Sequence, residues 1–144
     1  MQQLFYFKRS DYFSEKYFAM NFNEPPTNRE IGAAGEDAAV QYLKSKGFVI
    51  LETNWRFGQA EVDIIAKDKT ALVFVEVKTR SSNKFGEPEM AVNKAKQRMY
   101  QRLATGYIEK HHINMDVRFD IIAIVNKIPE PEIFHIKDAF YPYN

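Results

Sequence analysis

The spacing of apolar and polar positions divides the chain into two helices and five strands. Ile31, Ala34, Ala38, Ala39, Tyr42 and Leu43 recur at helical spacing. They follow Thr27-Asn-Arg-Glu30, in which a Thr and a Glu three residues on cap each other's main-chain N–H groups. Lys46-Gly47 closes this helix, since Gly suits the left-handed position after a last turn. Phe48 to Trp55 then reads as a strand, Arg56 to Ala60 as a turn and Glu61 to Ala66 as a second strand. Lys67-Asp-Lys-Thr70 is a polar hairpin turn into a third strand, Ala71 to Arg80. A second helix runs from Met90 to Lys110, with Val92, Ala95, Met99, Leu103 and Tyr107 on its buried face. Asp116 to Val125 is a fourth strand. Glu132 to Ile136 is a short last strand, placed at a sheet edge because Pro129 and Pro131 precede it. The order α-β-β-β-α-β-β predicts an α/β sandwich, a central mixed β-sheet flanked by helices.

The third strand breaks its own pattern. Glu76 and Lys78 stand among valines on one face, while Val75 and Val77 take the other. Burying such charges costs several kcal/mol (order of magnitude) unless each finds a partner. One reading is a structural ion pair. The other starts from Asp63 on the preceding strand. If the two strands pair through the Lys67–Thr70 turn, Asp63 and Glu76 meet on one face, and two close carboxylates repel unless a cation lies between them. Ligation by oxygen alone favours Mg²⁺ or Mn²⁺. Lys78 would stand beside that ion, where it can hold a phosphate or a water.

Composition narrows the field. At 144 residues the chain is long enough for one domain with a real core, and 45% hydrophobic with 27% charged residues fits a globular protein. A net charge of +1 means that any basic surface must be local. There is no cysteine, hence no disulfide framework and no thiolate metal site, which is compatible with a cytoplasmic protein. His111, His112 and His135 lack zinc spacing, and no apolar run approaches the roughly 20 residues that span a membrane.

Asp63 followed by Glu76-Val-Lys78 resembles the PD-(D/E)XK nuclease signature, with Val62 where its name has proline. Gly32-Ala-Ala-Gly-Glu36, Asn54-Trp-Arg56, Glu61-Val-Asp63, Phe74-Val-Glu-Val-Lys-Thr-Arg80 and Arg118-Phe-Asp120 resemble, in order and spacing, the YraN-like family, with Ala60 where many members have Gly. That family is regarded as predicted endonucleases related to Holliday junction resolvases. The resemblance implies a restriction-endonuclease-like core and hydrolysis of DNA phosphodiesters, on branched or junction DNA among others. It implies a metal site of Asp63, Glu76, the Val77 backbone carbonyl and Glu36, with Lys78 completing the catalytic set. Spacing alone leaves Glu36 open between that role and a solvated position at the edge of its helix.

Further contacts follow from position. Arg80, where the third strand meets its loop, is expected to touch phosphate; Arg56, in the turn before the second strand, reads as a phosphate contact or as a solvated loop arginine. Lys94, Arg98 and Arg102 recur every four residues as one ridge, with Gln97 nearby and expected to face the metal pocket; the ridge reads as a track for the DNA backbone or as a solvated face. The polar loop from Ser81 to Pro88 leaves the strand beside the site. Residues 1–26, crowded with Phe and Tyr, read as an N-terminal extension and linker, and 27–144 as the nuclease-like domain. Junction resolution needs two active sites, so that activity would call for a homodimer. The competing function is a nucleic-acid-binding scaffold with an idle site, acting with a DNA-processing partner. A purely structural α/β domain is the third reading.

Overall fold

The computed structural model describes the main chain of residues 3–6 and residues 27–80, 92–125 and 131–141. The elements are β1 (Gln3–Tyr6), α1 (Asn28–Ser45), β2 (Val49–Phe57), β3 (Ala60–Lys67), β4 (Ala71–Arg80), α2 (Lys94–His111), β5 (Asp116–Val125) and β6 (Glu132–Ile136). From α1 onward this is the expected α-β-β-β-α-β-β order, consistent with a restriction-endonuclease-like fold. The sheet order is β1-β6-β5-β4-β3-β2. β2, β3 and β4 form an antiparallel meander, and β4 pairs parallel with β5 over ten positions, from Ala71 opposite Asp116 to Arg80 opposite Val125. A parallel pair needs a crossover, and α2 supplies it.

β6 is not an edge strand, as the prolines before it suggested. It lies between β5 and β1, because Gln3–Tyr6 pair with it antiparallel, Gln3 opposite His135 and Tyr6 opposite Glu132. Part of the expected N-terminal extension is therefore a strand of the sheet. Residues 7–26 and the loop at 81–91 lie outside the described residues.

The local signals act as their chemistry requires. Thr27 Oγ1 accepts from the Glu30 N–H, and Glu30 Oε2 accepts from the Thr27 N–H at 2.8 Å, so α1 opens on a complete capping box. Gly47 follows with φ of 84°, a conformation that a side chain would strain. In the β3–β4 turn, Asp68 Oδ1 accepts from the N–H groups of Thr70 and Ala71, and Asp68 Oδ2 accepts from Arg118 of β5 at 2.7 Å. α2 starts later than Met90, at Lys94, because Asn93 caps it by accepting from the Lys96 N–H at 2.9 Å.

The two faces of the sheet carry separate cores. Ala38, Ala39, Tyr42 and Leu43 of α1 pack on Val73, Val75, Ile122 and Ile124. Tyr100, Leu103, Ala104 and Tyr107 of α2 pack on Leu72, Phe74, Phe119 and Ile121. α1 approaches β4 closely at Gly35, where a Cβ would stand 2.0 Å from Thr79 Oγ1 and 3.3 Å from Thr79 Cβ. Gly35→Ala is therefore expected to lower stability by about 1–3 kcal/mol, the usual cost of overpacking. Adding Thr79→Ala, which removes the clashing oxygen, should restore most of that loss in urea unfolding.

Candidate functional site

β3 and β4 pair from Lys67–Leu72 to Ile64–Val75 and then part. The next two positions are Asp63 and Glu76. Where the ladder ends, Asp63 takes over one of its bonds: the Val77 N–H donates to Asp63 Oδ2 at 2.7 Å. The splayed strands and the N-terminal ends of both helices enclose an open cleft of about 490 Å³. Glu36, Glu61, Asp63, Glu76, Val77, Thr79, Arg80 and Lys96 are among the residues lining it. Glu36 of α1 thus reaches the cleft, the inward of its two expected positions.

Among the described residues, four carboxylates face this space against two cations, Arg80 and Lys96. Asp63 shows the consequence. Burial pushes its carboxyl up to about 7; the nearby charges of Glu76 and Glu36 add to the rise, while the Val77 N–H and Lys96 offset part of it. Glu76, 8% exposed, is differently placed. Its Oε1 accepts from Lys96 Nζ and its Oε2 from the Tyr100 hydroxyl. Burial, and then the charges of Glu76 and Asp63, hold the Tyr100 phenol well above its ordinary range, so at neutral pH it remains a donor. Glu36 is oriented by Asn54, whose Nδ2 donates to Glu36 Oε2 at 3.1 Å from a left-handed main-chain position, φ of 51°.

Other expected residues fall elsewhere. Lys78 is half-buried on β4 and is not among the described residues that line the cleft; Lys96 brings the amine that does. Gln97 does not face the cleft either. Its Nε2 donates to the Val92 carbonyl at 2.8 Å and closes the start of α2. Arg56 is exposed and pairs with Glu61 at 2.5 Å. Lys94, Arg98 and Arg102 are exposed along α2, as one ridge should be. Asp120 lies away from the cleft, fully buried. It accepts from Arg118 Nε at 2.9 Å and the Asp138 N–H at 3.1 Å, with His135 Nε2 2.8 Å away.

Lys96, Tyr100 and Asn54 were the participants that pattern reading passed over. Apolar periodicity put Ala95 and Met99 on the inner face of α2, yet Ala95 is exposed. The true stripe runs through Tyr100, Leu103, Ala104 and Tyr107, and one turn before Tyr100 it meets Lys96. The available signal was Asn93, an N-cap residue that fixes the start of the helix and so its rotation.

The donors suit a hard divalent cation in kind, all of them oxygen. Their placement is incomplete: among the described residues no three Asp, Glu or His side chains converge closely enough to hold a metal ion. Glu76 is held instead by Lys96 and Tyr100. In metal-free protein the raised Asp63 carboxyl has a checkable effect. Between about pH 4 and 7 the folded state keeps a proton that the unfolded state has released, so stability falls as pH rises through this window. Asp63→Asn keeps an acceptor for Val77 and removes the charge. In EDTA it should match or exceed wild-type stability at pH 8, and its advantage should vanish by pH 4, as read by urea unfolding.

Among the described residues no helix is long and apolar enough to cross a membrane. The sequence matches the model of the family described as Uncharacterised protein family UPF0102 over residues 35–124. It is 44% identical over 116 residues to the UPF0102 protein of Flavobacterium psychrophilum, covering 81% of this chain and 98% of that one. It is 46% identical over 115 residues to that of Bacteroides thetaiotaomicron, covering 80% and 95%. It is 47% identical over 112 residues to that of Thermodesulfovibrio yellowstonii, covering 78% and 96%. The matched span contains Glu36, Asp63 and Glu76 of the cleft, and the chain belongs to the UPF0102 family.

Proposed function

We propose that the cleft is the active site of a metal-dependent endonuclease of the PD-(D/E)XK type, hydrolysing phosphodiester bonds of DNA, branched DNA included. One observation carries this reading. Several carboxylates meet where two strands part, and the Asp63 carboxyl is pushed up to about 7 by burial and by its acidic neighbours. Such a site gains most from a cation. Asp63, Glu76 and the Val77 carbonyl would hold Mg²⁺ or Mn²⁺, with Glu36 reaching it directly or through water. When bound, the ion supplies a water acidic enough to attack near neutral pH and positive charge for the phosphate.

The chain's own groups do the remaining work. Asn54 keeps Glu36 aimed into the cleft. The Val77 N–H fixes the Asp63 carboxylate, and Tyr100 fixes that of Glu76. Lys96, which pairs with Glu76, would be the cleft amine able to turn to a phosphate oxygen were Glu76 engaged by a metal ion. Lys78, between the cleft-lining Val77 and Thr79, would have to turn its amine inward to orient the attacking water, and Arg80 at the cleft edge would hold an adjacent phosphate. The exposed ridge of Lys94, Arg98 and Arg102 would follow the strand backbone.

Calorimetric titration with Mn²⁺ tests the metal site. Wild-type protein should bind the ion, and the Asp63→Ala/Glu76→Ala protein should not, while its circular dichroism stays native. No binding to wild type, with or without DNA, would contradict the proposal. A second reading rests on the Lys96–Glu76 pair: a nucleic-acid-binding scaffold that keeps this pair as structure and works with a DNA-processing partner. It predicts a marked loss of melting temperature in the same double variant.

A further inference from the structure

A second cavity, of about 430 Å³, is lined by Phe57, Gly58, Gln59, Ala60, Met99 and Arg102. We propose that this pocket takes an unpaired nucleobase of the DNA strand next to the scissile phosphate. The inference rests on the phosphodiesterase reading and narrows its substrate to DNA with an unpaired stretch.

Phe57 carries the argument. Its side chain is 49% exposed, although it is a large apolar group on a paired strand. The ring is nevertheless held in place. It stacks on Trp55 with centroids 5.9 Å apart and planes 10° from parallel. It also rests against α2 at Gly106, where a Cβ would stand only 2.7 Å from its Cε2. The β2–β3 turn is only Gly58-Gln59, with Gly58 at φ of 62°, so the ring stays on the strand instead of moving with a loop. A fixed, wet aromatic face is what a base stacks on. Met99 offers an apolar wall, the Gln59 amide can bond a base edge, and the Arg102 guanidinium can stack or hold a phosphate.

The position fits one strand running through both cavities. On β3, Ala60 lines the pocket and the next residue, Glu61, lines the cleft. On α2, Met99 lines the pocket and Lys96, about one turn earlier, lines the cleft. A base inside a duplex enters such a pocket only at the cost of unpairing and unstacking, whereas a base in a single strand, flap or junction arm is spared that cost.

The test measures binding in EDTA, where nothing is cut. The full chain is titrated with a short labelled oligothymidylate and with a duplex of equal length. Anisotropy reports binding, and the single tryptophan, Trp55, reports ring stacking by quenching. Phe57→Ala should weaken oligothymidylate binding about tenfold and change duplex binding less than about twofold. Phe57→Leu, which keeps an apolar side chain against Gly106, should show the same selective loss, and Phe57→Tyr should bind as wild type does. Unchanged oligothymidylate affinity in Phe57→Leu, equal losses on both probes, or no binding of oligothymidylate by wild type would each overturn the inference. Failure of cleavage with Mg²⁺ would overturn the nuclease reading and leave this binding result standing.

Discussion

Asp63→Ala and Glu76→Gln are each expected to lower DNA cleavage about a hundred- to a thousandfold, the scale on which charge stabilisation at a reacting centre is lost. The double variant should be little worse than either single one, because in the proposed site both carboxylates would serve one ion and act as a unit. Lys78→Ala should damage cleavage far more than binding, since the role proposed for it is confined to the transition state. Single-turnover rates and equilibrium binding to the same labelled substrate separate the two effects. A fall in binding that accounts for the whole fall in rate would place Lys78 among the DNA contacts instead.

Asp120→Ala is the largest expected loss of stability, about 3–5 kcal/mol. The Asp120 carboxylate is 0% exposed and ties β5 to β6 through Arg118, His135 and the Asp138 N–H. Burial works against its charge, but the bonds from His135 and Arg118 prevail and hold its carboxyl below the ordinary value. Removing it takes from the half-buried Arg118 one of its two carboxylate partners among the described residues and leaves a buried imidazole without its acceptor. Because the group titrates lower in the fold, its contribution is present above the unfolded carboxyl range and is lost as pH falls through its folded value. Urea unfolding of wild type and variant at neutral and acidic pH should therefore show the difference narrowing in acid.

Much of this was readable in residues whose chemistry is local. The Thr27–Glu30 box, Gly47 and the Lys67–Thr70 turn need only their neighbours, and all three act as expected. Asp63 and Glu76 stood out because a strand's period of two leaves no neutral place for a carboxylate among valines. What escaped notice depends on partners far along the chain. Lys96 looks like any charge on a helix until Glu76 is placed beneath it, 20 residues away in sequence. Asn54 is unremarkable until the chain turns left-handed there and brings its amide to Glu36. β1 was hidden because Gln3–Tyr6 is a four-residue strand with too little alternation to read. Without it, the prolines before β6 pointed to an edge that the fold covers.

The most direct measurement is strand scission by the wild-type chain across duplex, nicked, flapped and four-way DNA, with Mg²⁺ or Mn²⁺ and with EDTA. The account predicts scission that requires the divalent ion, disappears in Asp63→Ala and favours DNA with unpaired bases. Intact DNA in every arm, from wild-type protein that binds both Mn²⁺ and DNA, would contradict it.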